Sequence, residues 1–480
     1  MSNIKKNFLF SSVLSLSQII FPIITFPYVT RVLLPKGLGS VNFIDSIVQY
    51  IIIVSALGIP IYAVREIARV KDNKVLLSKT YTEMIVIHTI ISLLCSVVFG
   101  MMIFVIPELF ADYQLCIVGI GIILSNVFLI NWFFAGLEKF VFISIVSIVV
   151  RVITVLGIFL LVKAPEDKVI YYSLNLVGNI ITGIVAVRFA LRETTFTFGG
   201  IRFYKHLRSL FLLFSLTVIT NVYVLLDSVI LGFIKNNEEV AFYATATKLS
   251  KIPISLLFAL TSVLIPKLSS LQDKDKFSDL LSKSVETTFI LSIPIAIGLV
   301  VLSKELILIF AGEMYLPGLE GFRVLSFIII PIGFALVNHQ ILLPYNKEKY
   351  MMRCAIAGMV TSLILNFTLV PCLGNLGSAI SSLTTEIVVS LLLFFVSYKI
   401  CKIKIPYRII FYSIITCSSF FLIKYFLSLL TNDKFVVLIF TLCLCSFIYF
   451  FVMSTIFKVR LLNDFSLIVL DKIRKRKVNI

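Results

Sequence analysis

Among the basic residues inside or at the edges of long apolar runs, five are candidates for binding or gating: Arg31, Arg151, Lys248, Lys251 and Arg323. A charged side chain in hydrocarbon is costly and is retained where it holds a ligand, pairs with another charge or reaches the interface. Lys248 and Lys251 are three residues apart, which sets them on one helical face and lets both approach a single anion. Arg151 falls well inside its run, near the middle of a bilayer, and is the hardest of the five to explain as an interface residue. Arg31 and Arg323 stand near the ends of their runs, where a long side chain snorkels at small cost, so they are candidate gates. Three acids lie deep as well: Asp45, Asp227 and Glu386. Asp227 occupies the outward part of its run as Arg31 does in its own, and an inter-lobe ion pair between them that breaks on opening is the expected gate. Glu386 suits coupling to a proton or a sodium ion. Glu83 and Glu286 fall near run ends and are expected at the interface. The amides of Asn131 and Asn221 suit a hydroxyl-rich ligand; tying helices together is the competing role, for them and equally for Gln49 and Asn366.

Nothing in the sequence is arranged for covalent chemistry. It contains no Walker lysine loop, no HExxH, no GxSxG and no cluster of Cys and His at metal-ligand spacing. His88, His206 and His339 are scattered and expected to be structural. The eight cysteines include no CxxC pair and read as packing residues. Moving a ligand is the better inference than transforming one, and the chain is expected not to be an enzyme.

The elements that must position these residues are membrane spans. The chain is 59% hydrophobic and 14% charged over 480 residues, with mean hydropathy +1.06, where soluble domains carry about 25% charged residues. A helix crosses the ~30 Å hydrocarbon layer with roughly 20 apolar residues. Such runs predict an all-α polytopic protein of 14 spans, near 8–33, 41–64, 80–106, 114–135, 142–162, 169–190, 209–234, 241–265, 284–303, 324–344, 351–371, 376–398, 407–430 and 435–457. Between them, 304–323 is apolar but interrupted by Lys304, Glu305, Glu313 and Glu320. With this division 31 of the 43 Lys and Arg residues fall on one side and eight on the other. Basic loops stay cytoplasmic, so both termini are expected inside. The net charge of +18 is then a product of topology and implies no nucleic-acid partner; the tail from Lys472 to Lys477 would lie near an anionic inner leaflet. Lys5 and Lys6 precede an apolar run too long for a cleaved signal peptide, which reads as a first span.

Two short matches reveal an internal repeat. Leu77-Ser78-Lys79-Thr80 recurs as Leu281-Ser282-Lys283-Ser284, and Glu138-Lys139-Phe140 recurs as Glu348-Lys349-Tyr350. Both pairs fall at equivalent places in the span order, giving two parallel six-helix lobes, 1–200 and 201–400. An additional hairpin, 401–457, and a basic tail, 458–480, follow. Parallel repeats are related by an axis along the membrane normal, with the substrate path between them.

Several segments resemble a known family. Tyr28-Val29-Thr30-Arg31-Val32-Leu33, then Gly37-x-Gly39, Val41-x-Phe43, Gly58 and Arg65-Glu66-Ile67-Ala68-Arg69, are similar to the opening of the Wzx-type polysaccharide flippases of the multidrug/oligosaccharidyl-lipid/polysaccharide exporter superfamily. Asn131-Trp132-Phe133-Phe134-Ala135-Gly136-Leu137-Glu138-Lys139-Phe140 resembles that family's segment between spans four and five; the second half matches in topology, in Ala241-Phe242-Tyr243 and in Lys248. The resemblance implies a flippase of the bacterial cytoplasmic membrane that moves undecaprenyl-diphosphate-linked oligosaccharide repeat units outward by alternating access. The product would serve O-antigen, capsule or exopolysaccharide synthesis. Arg151, Lys248 and Lys251 would face the diphosphate in a central cavity, with Asn131 and Asn221 near the sugars. Arg31, Asp45, Asp227, Arg323 and Glu386 would serve gating or coupling to a proton or sodium gradient or to the membrane potential, without any cofactor. A polymerase and chain-length proteins of the same pathway are the implied protein partners. The alternatives are a drug or cation antiporter of the same superfamily, or a membrane polymerase or glycosyltransferase, which would need larger outer loops than these.

Overall fold

The computed structural model describes residues 2–199, 203–271, 273–431 and 433–459. Arg202, the tail from 460 onward and the side chain of Asn221 lie outside the described residues. All regular structure among them is helical, and the chain divides into two compact units, Met1–Ala241 and Phe242–Ile480.

The first unit opens with α1 (Ser2–Ala56), whose helix is broken at Leu34 (φ 57, ψ 172) immediately before Pro35. Proline pushes its predecessor out of the helical region, which explains the place of the break. The sequence predicts a loop over 34–40; the structure replaces it with this one-residue kink. A second break follows at Leu57 (φ 44) and Gly58 (φ 76). It ends the predicted second span early and starts α2 (Ile59–Val70), which buries Ile59, Tyr62, Ala63 and Ile67 and exposes Arg65 and Arg69. A Cβ on Gly58 would stand 2.8 Å from the Phe214 amide nitrogen, so glycine is required here by space as well as by φ.

There follow α3 (Lys74–Val105), α4 (Pro107–Ala111), α5 (Tyr113–Asn126), α6 (Asn131–Gly136), α7 (Phe140–Leu161), α8 (Lys168–Ala190) and α9 (Tyr204–Ile234). The predicted span 114–135 is therefore two helices, α5 and α6. The short α6 exists because Trp132, Phe133 and Phe134 are all buried in a core shared with Tyr62, Tyr81 and Leu210. Tyr81 and Phe133 meet edge to face at 5.0 Å, and each such ring removes about 150–250 Å² from solvent. By span count α9 opens the second set of six, yet most of its length belongs with α1 and α2, on which it packs.

The second unit takes most of α10 (Asn237–Ser270), then α11 (Lys274–Val301), α12 (Ser303–Phe310), α13 (Leu319–Ser326), α14 (Ile329–Leu342), α15 (Glu348–Leu373), α16 (Asn375–Ile400), α17 (Tyr407–Leu430) and α18 (Lys434–Thr455). The interrupted stretch 304–323 folds as α12, a 3-10 turn over Glu313–Gly318 and α13, pinned by the buried Tyr315 and Phe322. Residues of α17 and α18 share one apolar core with α11 and α14. Tyr449 hydroxyl donates to the Ile290 carbonyl at 2.9 Å and lies 2.9 Å from Ser413 Oγ. The hairpin is thus built into this unit's core.

Twelve helices among the described residues are long and apolar enough to cross a membrane. The first, Ile20–Val70, is 51 residues long and contains both breaks described above; α9 contributes a shorter apolar helix, Leu225–Ile234. Both copies of the repeated Leu-Ser-Lys segment lie in the opening turns of long helices. Leu77 and Leu281 are both 3% exposed, on α3 and α11. The side chain of Asn73 caps α3 and that of Asp273 caps α11, each meeting two otherwise unbonded amides.

Candidate functional site

Arg151 lies about 16 Å along α7 from its first residue, by helical rise, and is half-buried. Its helix packs on α1 and α8. Among the described residues Arg151 forms no ion pair or hydrogen bond, although an intramembrane guanidinium ordinarily finds one. Lys248 and Lys251 lie about 16 and 21 Å along α10. Both are exposed, while Leu249 and Ser250 beside them are buried. The one-face placement expected from their spacing holds: the face opposite the packed one carries both ammonium groups. Asn131 is exposed at the start of α6, beside the buried Trp132.

Of the deep acids, Asp45 is bonded to neighbouring side chains. Tyr172 of α8 donates to Asp45 Oδ1 at 3.2 Å, and Gln49 Nε2, one turn on, stands 3.4 Å from the same oxygen. Asp227 is 2% exposed and lies within electrostatic reach of Tyr50, which links α9 to α1. Arg31 is exposed and donates to its own Pro27 carbonyl at 2.6 Å. Arg31 and Asp227 both belong to the first unit, so a pair between them would form within one unit. Arg323 makes an ion pair with Glu320 at 2.6 Å and donates to Ser303 Oγ at 3.2 Å. Glu386 is half-buried on α16. Asn366 ties α15 to α16 through Ser381 Oγ at 2.9 Å, the helix-pairing role that was the alternative to ligand binding.

Three arrangements escape sequence reasoning. At the end of the first unit away from its basic loops, Lys168 stands 2.5 Å from Asp112, and Asn237 Nδ2 donates to Ser40 Oγ at 2.8 Å and approaches Asp112 at 3.3 Å. This staple joins α1, α5, α8 and α10. Gly39 permits it: a Cβ there would fall 1.7 Å from the Asn237 carbonyl oxygen, which accounts for the second glycine of Gly37-x-Gly39. At the basic end, Glu83 is only 3% exposed and bonded to His206 at 2.9 Å. In the second unit, Lys424 stands 2.9 Å from Glu305 and donates to the Val301 carbonyl at 2.7 Å. These partners lie far apart in sequence, and no local pattern announces them.

Comparison with known proteins agrees with this architecture. Residues 4–272 match the family described as polysaccharide biosynthesis protein. A protein of Shigella dysenteriae named an O-antigen transporter is 27% identical over 393 residues, covering 81% of this chain and 98% of the relative. One of the same name from Escherichia coli is 25% identical over 407 residues, covering 82% and 97%. The solved lipid II flippase MurJ, in an inward closed conformation, superposes with TM-score 0.77 at 18% identity, over 94% of this chain and 99% of that one. A multidrug resistance MATE family transporter superposes with TM-score 0.63 at 12% identity, over 82% of this chain and 97% of that one. With the family model spanning more than half of its length, the chain belongs to the polysaccharide biosynthesis protein family of polytopic membrane proteins.

Proposed function

We propose that this protein is a flippase that carries undecaprenyl-diphosphate-linked oligosaccharide repeat units from the inner to the outer leaflet of a bacterial cytoplasmic membrane by alternating access. The observation that carries the reading is Arg151, a half-buried cation inside a spanning helix that forms no pair among the described residues. A diphosphate headgroup supplies the missing negative charge, and a headgroup so charged crosses hydrocarbon only when balanced. Lys248 and Lys251 add to it: both are exposed on one face of a spanning helix, where they place positive charge that suits an anionic headgroup. The relatives named O-antigen transporters support a sugar-bearing lipid as the substrate. In this reading the chain crosses the membrane 14 times with both termini cytoplasmic, the first long stretch counting twice and α9 once. Asp45, Asp227 and Glu386 take part in coupling to a proton or sodium gradient, Arg31 and Arg323 border the outer opening, and a polymerase receives the product.

In cells lacking the protein, lipid-linked repeat units are expected to accumulate on the cytoplasmic face with loss of polymer. The wild type is expected to restore polymer, and Arg151→Ala at equal abundance is expected not to. Full rescue by Arg151→Ala would remove the central-site assignment. A second reading, a cation antiporter of the same superfamily, rests on the half-buried Asp45 and the buried Asp227. It predicts that Asp45→Asn abolishes efflux of an organic cation dye and leaves polymer synthesis unchanged.

A further inference from the structure

The segment that leaves α8, which hydropathy treats as a break between the spans ending at 190 and beginning at 209, is laid along α3. Thr194 Oγ1 donates to Ser78 Oγ at 2.9 Å, and the Thr195 amide donates to the same oxygen at 3.1 Å. The Thr197 amide donates to Thr82 Oγ1 at 3.0 Å. Ser78 and Thr82 are about one helical turn apart, so residues 194–197 form a strap that follows α3 inward from its basic end. Alternate residues of an extended segment share a side, and the strap sets Phe196 beside Phe198, with rings stacked at 6.3 Å and 12°. Phe196 also meets the buried Tyr81 at 5.5 Å, which seats the pair on the core of the first unit. Their outer faces are open: Phe196 is 43% and Phe198 68% exposed.

Depth along α3 decides what these rings meet. Residues 84–105 contain no Asp, Glu, Lys or Arg and rise about 32 Å as a helix, which matches the ~30 Å hydrocarbon layer. On the basic side the layer then begins at Met84, just past Thr82, so the strap lies in the headgroup zone with Phe198 near its inner edge. Backbone at that depth must have its polar groups bonded, and the two hydroxyls of α3 meet the amides of Thr195 and Thr197. Cations flank the strap in sequence: Arg192 before it, and Lys205 and Arg208 in the opening turns of α9, all exposed. Arg192 is held over the Phe189 ring, 4.5 Å from its centroid. Glu193 is the only acid between 191 and 208, and Lys139 takes it at 2.6 Å. Open apolar rings among unopposed cations match the chemistry of an interface rich in anionic lipid, where acyl carbons lie beneath phosphate groups.

We propose that the strap and its flanking cations form a binding site for anionic phospholipid of the leaflet on the basic side. Phe196 and Phe198 lie against the first acyl carbons, and Arg192, Lys205 and Arg208 meet the phosphate groups. The ligand is the lipid of the surrounding bilayer, not a lipid carried across it, so the site does not depend on the flippase reading. Held in this way, the start of α9 keeps a fixed depth in the membrane.

The test is tryptophan fluorescence of the full-length protein in vesicles of phosphatidylcholine and phosphatidylglycerol. Trp132, the single tryptophan, is removed by Trp132→Phe, and Phe198→Trp is added to that background; a second protein carries Asp72→Trp instead, in the exposed turn before α3, as the aqueous reference. Lipids brominated on the acyl chain near the headgroup are expected to quench Phe198→Trp several-fold more than Asp72→Trp, and aqueous iodide is expected to do the reverse. When only one lipid class is brominated, phosphatidylglycerol is expected to quench Phe198→Trp several-fold more than phosphatidylcholine at the same mole fraction. The triple change Arg192→Gln, Lys205→Gln and Arg208→Gln is expected to abolish that difference. A monodisperse peak in size-exclusion chromatography reports that each protein is folded, and Phe196→Trp takes the place of Phe198→Trp if the latter is not. Quenching of the strap by iodide and not by brominated lipid, equal quenching by the two brominated lipids, or a preference that survives the triple change overturns the proposal. A protein that moves some other substrate would still show the expected quenching.

Discussion

The charged side chains inside this protein divide by what answers them. Glu305 has Lys424 at 2.9 Å, Asp45 has Tyr172 and Glu83 has His206, while Arg151 has no partner of its own among the described residues. Truncating one member of an answered set leaves the other buried and unmet, so Lys424→Ala is expected to cost about 1–3 kcal/mol. The double change Lys424→Met with Glu305→Gln should recover most of it, read as thermal stability in detergent. Arg151→Ala, by contrast, should leave thermal stability unchanged or raised and slow transport. Gly39→Ala belongs to the same scale: with its Cβ 1.7 Å from the Asn237 oxygen, it should cost more than about 3 kcal/mol. The readout is loss of the monodisperse peak in size-exclusion chromatography, and a normal peak would mean the α9 to α10 connection is not held as described.

At the scale of elements, hydropathy made most helices legible because a membrane imposes one length on every crossing. What it concealed were interruptions. Leu34 and Leu57 are good helix formers, and nothing in their own chemistry announces positive φ; Pro35 and Gly58 were the available signals. The stretch 304–323 looked like a damaged span because its charges were counted without their partners, Lys424 for Glu305 and Arg323 for Glu320. His206 looked isolated for a similar reason: its partners are 144 and 123 residues away. Intramembrane cations are costly wherever they occur, and Arg151, Lys248 and Lys251 were picked out from the sequence on that ground; Lys424, inside the predicted span 407–430, was passed over. The straps on α3 give a prediction at this scale. Ser78→Ala removes two bonds to the 194–195 segment and should raise amide exchange there several-fold without altering the core around Trp132.

For the whole molecule, the uneven distribution of Lys and Arg predicts orientation. Single cysteines placed at Lys71 and Lys347 in a cysteine-free background should react with a membrane-impermeant maleimide in inside-out vesicles only, and one at Lys163 in right-side-out vesicles only. The opposite pattern would invert the proposed direction of transport. The most direct measurement of the central claim is made in proteoliposomes that contain an undecaprenyl-diphosphate-linked oligosaccharide and the purified protein, by following the fraction of that lipid open to an enzyme added outside. The wild type should bring the inner-leaflet fraction out, Arg151→Lys should do so more slowly, and Arg151→Ala should be slower by at least about tenfold, near 1.4 kcal/mol in the barrier. Equal rates for the wild type and Arg151→Ala, or no movement of this lipid by the wild type, would contradict the account.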